Sequence, residues 1–294
     1  MDGKVIGFIS EKGGVGKTTA CYHIALGLKR YHKKKVLIVD TDYQRGGITC
    51  KLIPELIENF QKGEMPYKNI YHKFQSLYAD SENSVNLQIQ EGKFSIDIIP
   101  SDPKLNRVSV DKLPADRDMT KLSLNRYKHL SVIKNAIDEY RQQYDYILID
   151  THPEISDLLD CVIYACDYCV SPVKLDRQSS VGVASAVEAV NNVNKNIEQL
   201  AKVLSIKEVK KVRFLGAIAM MAREYSEDLI YTMQQEHSKL NNLYGVFSNY
   251  VTEGDGVRIA ARRYMPVYDI EGTNANKQAE QFKLLTKEFI RKCV

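Results

Sequence analysis

Short, almost wholly apolar runs recur along this chain, each followed by a longer stretch in which apolar residues return every three or four positions. The runs are Val5-Ile6-Gly7-Phe8-Ile9, Val36-Leu37-Ile38-Val39-Asp40, Ser95-Ile96-Asp97-Ile98-Ile99-Pro100, Tyr146-Ile147-Leu148-Ile149-Asp150, Tyr168-Cys169-Val170-Ser171-Pro172-Val173 and 212–219. Runs this short and this apolar suit strands covered on both faces. The intervening periodicity predicts helices, notably over 127–144, 179–201, 226–240 and 278–292. Strand and helix in alternation predict an α/β fold, a doubly wound and mostly parallel sheet with helices on both sides. Functional residues then belong at the carboxyl ends of the strands, where two of the runs terminate in Asp40 and Asp150. One domain is expected over residues 1–294, with no internal repeat. Two stretches with little periodicity, 61–94 and 103–125, read as surface excursions, and Met265-Pro266-Val267-Tyr268 reads as a last strand.

The sharpest local signal lies between the first strand and the first helix, Lys12-Gly13-Gly14-Val15-Gly16-Lys17-Thr18-Thr19. Glycines allow a tight turn in which several N–H groups face one anion, and the positive end of the following helix adds to that field. A lysine and a hydroxyl at the helix start reach phosphate and magnesium. Gly13 to Thr19 are therefore expected to cradle a nucleoside triphosphate, with Lys17 on the β/γ phosphates and Thr18 on Mg2+. The usual pattern has glycine six residues before the lysine, where this chain has Glu11, with the second lysine, Lys12, beside it. Lys12 lies too early in the loop to fold back on its own phosphates, and is expected to point outward.

Magnesium and an attacking water call for acids near the phosphates. Val39-Asp40-Thr41-Asp42-Tyr43-Gln44 supplies two, just past a strand. A third, Asp150, ends Asp145-Tyr146-Ile147-Leu148-Ile149-Asp150 and precedes Thr151-His152-Pro153.

These motifs resemble the ParA/MinD family of P-loop ATPases, whose deviant loop reads Lys-Gly-Gly-x-Gly-Lys-Thr-Thr. The similarity is strongest over the first 50 residues and 144–153, and the short Soj-like partition ATPases are nearest in kind. The resemblance implies that Lys12 reaches across a homodimer to the partner's phosphates, and that Asp42 positions the hydrolytic water. It further implies that Asp40 supports the magnesium and hydroxyl shell, and that Asp150 faces the ion. Tyr43 and His152 stand where the family usually has proline. His152 reads as a loop histidine beside the switch rather than a general base, since positioning and charge stabilisation carry phosphoryl transfer. No guanine-reading Asn-Lys-x-Asp is present, because Asn194-Lys195-Asn196 is followed by Ile197; ATP is expected over GTP.

The family's partition members bind double-stranded DNA without sequence preference as ATP dimers, through basic residues near the carboxyl end. Arg223, Arg258, Arg262 and Arg263 are the candidates here, with Arg258 and Arg262 four apart on one helix face. A centromere-binding partner of the ParB or ribbon-helix-helix kind is implied as well. The alternative is a MinD-like membrane switch, for which Phe282, Leu285 and Phe289 form an amphipathic stripe. The same stripe equally suits a helix packed on the sheet, and membrane binding is not expected.

Composition changes little. A net charge of +4 permits nucleic-acid binding without requiring it, so local charge placement matters more than the total. The absence of a long apolar run and of a recognisable leader, with six scattered cysteines, points to a cytoplasmic protein, and the resemblance to partition ATPases implies association with the nucleoid. Cys166-Asp-Tyr-Cys169 reads as a pair of buried thiols, and no cysteine spacing suits a cluster-assembly ATPase.

Overall fold

The structure, a computed structural model, describes residues 2–44, 47–80 and 85–293. Its strands are β1 (Lys4–Phe8), β2 (Val36–Asp40), β3 (Gln90–Glu91), β4 (Asp97–Ile99), β5 (Tyr146–Asp150), β6 (Tyr168–Val173), β7 (Arg213–Ala222), β8 (Glu224–Tyr225), β9 (Asp228–Leu229) and β10 (Val251–Thr252). The α-helices are α1 (Lys17–His32), α2 (Ile48–Leu52), α3 (Ile57–Lys62), α4 (Ile70–Tyr78), α5 (Met119–Asp138), α6 (Asp157–Ala165), α7 (Arg177–Val203), α8 (Tyr231–Tyr244), α9 (Asp255–Arg262) and α10 (Thr273–Lys292).

Eight strands form one sheet in the order β10-β7-β6-β1-β5-β2-β4-β3, and only β3 runs antiparallel to its neighbour. Successive side chains of each strand feed opposite cores. Val5, Leu37, Val39, Ile147 and Ile149 pack towards the face that α4, α5, α6 and α7 cover. Ile6, Phe8, Ile38 and Leu148 pack towards α1 and α10 on the other face. This two-sided burial explains why the runs are continuously apolar rather than alternating. The register places Phe8, Asp40 and Asp150 side by side, because β1 and β2 both flank β5 and pair Phe8 and Asp40 with Asp150.

Several boundaries differ from the sequence reading, each for a local reason. Helix α5 begins at Met119 because the Asp118 carboxylate accepts from the N–H groups of Thr120 and Lys121. Helix α8 starts only at Tyr231, because Ser226 and Glu227 adopt left-handed backbone (φ 50° and 70°) in the turn joining β8 to β9. Residues 267–269 form a 3-10 turn rather than a last strand. The supposed excursions contribute to the core as well. Ile70, Tyr71 and Phe74 of α4 are buried there, and so are Leu105 and Val108. Within that first stretch, residues 81–84 lie outside the described residues.

The carboxyl-terminal stripe lies inside the protein. Phe282, Leu285 and Phe289 are all fully buried, with Phe289 stacked on Phe8 at 6.2 Å between ring centroids. None of the three is available to a lipid surface, and no helix among the described residues is long and apolar enough to cross a membrane.

His23 ties α1 to this layer. Its Nδ1–H donates to the Thr19 carbonyl at 2.8 Å, its Nε2 accepts from the Val267 N–H at 3.1 Å, and its ring stacks on Phe282 at 4.4 Å. Burial lowers its pKa from the ordinary 6.5 to about 3. Because the folded value is the lower one, this contribution is complete above pH 6.5 and is lost as pH falls towards 3. The urea midpoint is therefore expected to fall from pH 7.5 to pH 5, and a His23→Gln variant, weaker at pH 7.5, is expected to show a smaller drop across that interval.

Candidate functional site

The loop after β1 turns through backbone that only glycine adopts without strain. Gly14 and Gly16 have φ of 72° and 95°. A Cβ on Gly16 would also come within 3.3 Å of the Met220 side chain. Val15 is buried and pins the loop, while Gly13 and Gly14 remain exposed. Lys17 and Thr18 then open α1 directly beneath the loop.

Lys17 is 94% buried, its relative exposure being 6%. Burial lowers its pKa, opposed by the charges of Asp150 first and Asp42 second. Asp150 is fully buried, and burial raises its pKa well above the usual carboxylate range, reinforced by Asp40 and Asp42. Among the described residues neither Asp150 oxygen has a hydrogen-bond partner, although the nearby Thr18 hydroxyl favours the ionised form. A buried carboxylate with both oxygens open is costly for a protein to keep. Together with the Thr18 hydroxyl, it forms a donor set of the hard-oxygen kind that magnesium prefers.

Asp40 differs. Its Oδ2 accepts from the Thr49 N–H at 2.8 Å and the Thr49 hydroxyl at 2.6 Å, and its Oδ1 accepts from the Asp42 N–H at 3.0 Å. Burial, then the neighbouring Asp42 charge, pushes its pKa up to about 7. Both Asp40 oxygens are thus engaged, tying the end of β2 to the start of α2. Thr49 has no signal in the sequence, since its partner is nine residues away.

Asp42 sits past the end of β2, with its Oδ1 accepting from the Gln44 N–H at 2.9 Å. The same oxygen lies 3.0 Å from Nδ1 of His152. The Tyr43 ring lies 4.1 Å from the His152 ring, and the Tyr43 hydroxyl donates to Glu154 at 2.7 Å. The two residues that replace prolines thus meet one another, across 109 residues of sequence.

Lys12 does not stand free in solvent. Its Nζ lies 3.4 Å from Asp176 and 3.3 Å from Gln178 Oε1 of the same chain, with its side chain 35% exposed. Beside Gly16 and Thr19 opens a small cavity of about 110 Å³, lined by Met220, Met221, Val251, Thr252 and Val257 among others. These residues come from the end of β7, from β10 and from α9, more than 200 positions beyond the loop, so no local pattern announces them.

The four arginines divide into two pairs. Glu253 accepts from Arg223 Nε at 3.0 Å and from an Arg258 terminal nitrogen at 2.9 Å, and Arg258 also reaches Asp255. Arg262 and Arg263 are exposed at the end of α9, and neither forms an ion pair among the described residues. Cys166 and Cys169 are buried thiols, and no cluster of metal-ligating side chains of the His, Cys and carboxylate kind occurs among the described residues.

Comparison with known proteins agrees with this geometry. The AAA domain family matches residues 3–205. A virulence plasmid ParA family protein of Chlamydia psittaci is 29% identical over 203 residues, 69% of this chain and 69% of that protein. A ParA family protein of Mycoplasma pneumoniae is 23% identical over 293 residues, covering 97% of each chain. Among solved structures, the ATP complex of McdA from Cyanothece superposes with a TM-score of 0.70 at 15% identity, covering 98% of this chain and 96% of that one. A phosphate loop at the end of β1, acids at the ends of β2 and β5, and a family match spanning most of the chain lead to one assignment: this protein belongs to the ParA/MinD group of P-loop ATPases within the AAA domain family.

Proposed function

We propose that this chain is an ATP-driven DNA partition switch, which binds Mg–ATP, closes as a homodimer, holds DNA without sequence preference, and lets go on hydrolysis. The observation that carries the reading is the convergence of Lys17, Thr18, Asp42 and Asp150 on the mouth of one glycine loop. Thr18 and Asp150 would hold magnesium, which would neutralise charge on the phosphates. Lys17 and the Gly13–Thr19 backbone bind the phosphates, and Asp42 orients the water. The cavity beside Gly16 receives the adenine against Met220, Met221 and Val257. Lys12 leaves Asp176 for the partner's phosphates when the dimer closes, and a centromere-binding protein of the ParB or ribbon-helix-helix kind accelerates hydrolysis. The plasmid-linked relative supports the partition role over a membrane switch, and the buried stripe of α10 supports it further.

DNA binding tests the reading. Retention on non-specific duplex is expected with ATP, and not with ADP or without nucleotide, and to weaken steeply with salt. Of the four arginines, Arg262 and Arg263 are expected to contribute most, because Glu253 and Asp255 already pair with the other two. Arg262→Ala and Arg263→Ala should each lower the salt-dependence slope by about one. Equal retention in all nucleotide states, or none in any, overturns the partition reading.

A further inference from the structure

Two residues that depart from the family pattern, Tyr43 and His152, form a latch with the carboxylate on which hydrolysis depends. His152 is 94% buried, although it sits on the loop leaving β5. One side of its ring lies against Tyr43, 4.1 Å between centroids. Its Nε2 lies 3.5 Å from Glu154, whose other oxygen accepts from the Tyr43 hydroxyl at 2.7 Å. That leaves Nδ1, 3.0 Å from Asp42 Oδ1. The segment after β2 and the segment after β5 are thereby joined by a stack and hydrogen bonds at the opening of the phosphate loop.

The arrangement fixes one oxygen of Asp42 and frees the other. Oδ1 accepts from both the Gln44 N–H and His152 Nδ1–H, while Oδ2 has no hydrogen bond among the described residues. A carboxylate on a loop otherwise rotates about two side-chain bonds, and a catalytic group misplaced by about 1 Å costs on the order of 100-fold in rate. Proline at positions 43 and 152 stiffens a backbone but donates nothing to a side chain. In this chain a side-chain bond takes over the orienting.

We propose that His152, held by Tyr43 and Glu154, is a positioning residue for hydrolysis: its Nδ1–H fixes Asp42 Oδ1 so that Oδ2 faces the attacking water. The proposal rests on the reading of Asp42 given above. His152 neither touches the nucleotide nor takes the proton; it acts through Asp42.

Steady-state Mg–ATP hydrolysis by the full-length protein and its variants tests this, with thermal melting to confirm folding. His152→Leu is expected to lower kcat about 10- to 100-fold with KM for ATP within about twofold. Asparagine places an amide N–H near the position of Nδ1, so His152→Asn is expected to stay within about threefold of wild type. The double variant Asp42→Ala/His152→Leu should be no slower than Asp42→Ala alone, since the histidine has nothing left to orient. An unchanged rate in His152→Leu beside a slow Asp42→Ala overturns the positioning role and leaves Asp42 in place. Equal losses in His152→Leu and His152→Asn overturn it also, by marking the ring as packing only. A wild-type rate in Asp42→Ala removes the reading on which the proposal stands.

Discussion

Lys17→Ala is expected to abolish measurable ATP binding. Around the phosphate loop lie three carboxylates, Asp40, Asp42 and Asp150, and Lys17 is the buried cation whose charge Asp150 and Asp42 sustain. Without it, the loop N–H groups and the start of α1 face the phosphates with three carboxylates close by and one buried cation fewer. Truncating one partner of a buried, hydrogen-bonded charge pair costs about 2–5 kcal/mol, and about 1.4 kcal/mol corresponds to each factor of ten in affinity. A loss of about 30- to 4,000-fold in affinity follows. Titration of a fluorescent ATP analogue with magnesium checks it. Binding within a few-fold of wild type would show that the backbone amides and helix terminus suffice, and would remove Lys17 from the site. Asp150 sharpens the expectation. Burial raises its pKa well above the usual carboxylate range, so its charged form depends on a cation close by. Lys17→Ala should thus leave folding intact at low pH, where Asp150 is neutral, and weaken it as pH rises.

Asp42→Ala has the opposite signature, with ATP binding kept and hydrolysis lost. Asp42 lies past the end of β2 with one oxygen anchored and the other without a hydrogen bond among the described residues, and Lys17 senses its charge. Groups that orient or accept a proton from the attacking nucleophile contribute typically about 100-fold or more. A fall in kcat of that order is expected, with nucleotide Kd within a few-fold of wild type. Because closure is read as ATP-dependent and opening as driven by hydrolysis, the variant should accumulate as an ATP-bound dimer by light scattering. Fast turnover by Asp42→Ala would sink the assignment, whereas slow turnover by a monomer would detach dimer closure from the hydrolytic cycle.

The two variants also separate what was legible in the chain from what was not. The glycine loop, Lys17 and the strand-end acids were readable because each is a contiguous motif with local causes. A glycine at φ 95°, a helix start and a strand terminus are settled by a handful of neighbouring residues. Helix edges were less readable. The start of α5 depends on one capping aspartate, and the start of α8 on two residues in left-handed backbone. Helix α4 escaped notice because its buried residues, Ile70, Tyr71 and Phe74, lie in a polar context whose pattern resembles a loop.

What the sequence determined by itself is therefore the set of short-range features: the order of strands and helices, the phosphate loop, and the acids at the ends of β2 and β5. Backbone geometry and burial of apolar runs act over a few residues, and their cause is written where the effect occurs. The tertiary structure decided everything that needed two distant segments to meet. It brought His152 against Asp42, gathered the cavity beside Gly16 from the loop, β7, β10 and α9, and set Glu253 between Arg223 and Arg258. It also turned the stripe of α10 onto Phe8. Such contacts depend on strand order and register, which place β2 beside β5 and β7 two strands from β1. A pair of side chains 3 Å apart but 110 residues apart in sequence leaves no mark on the local pattern of either.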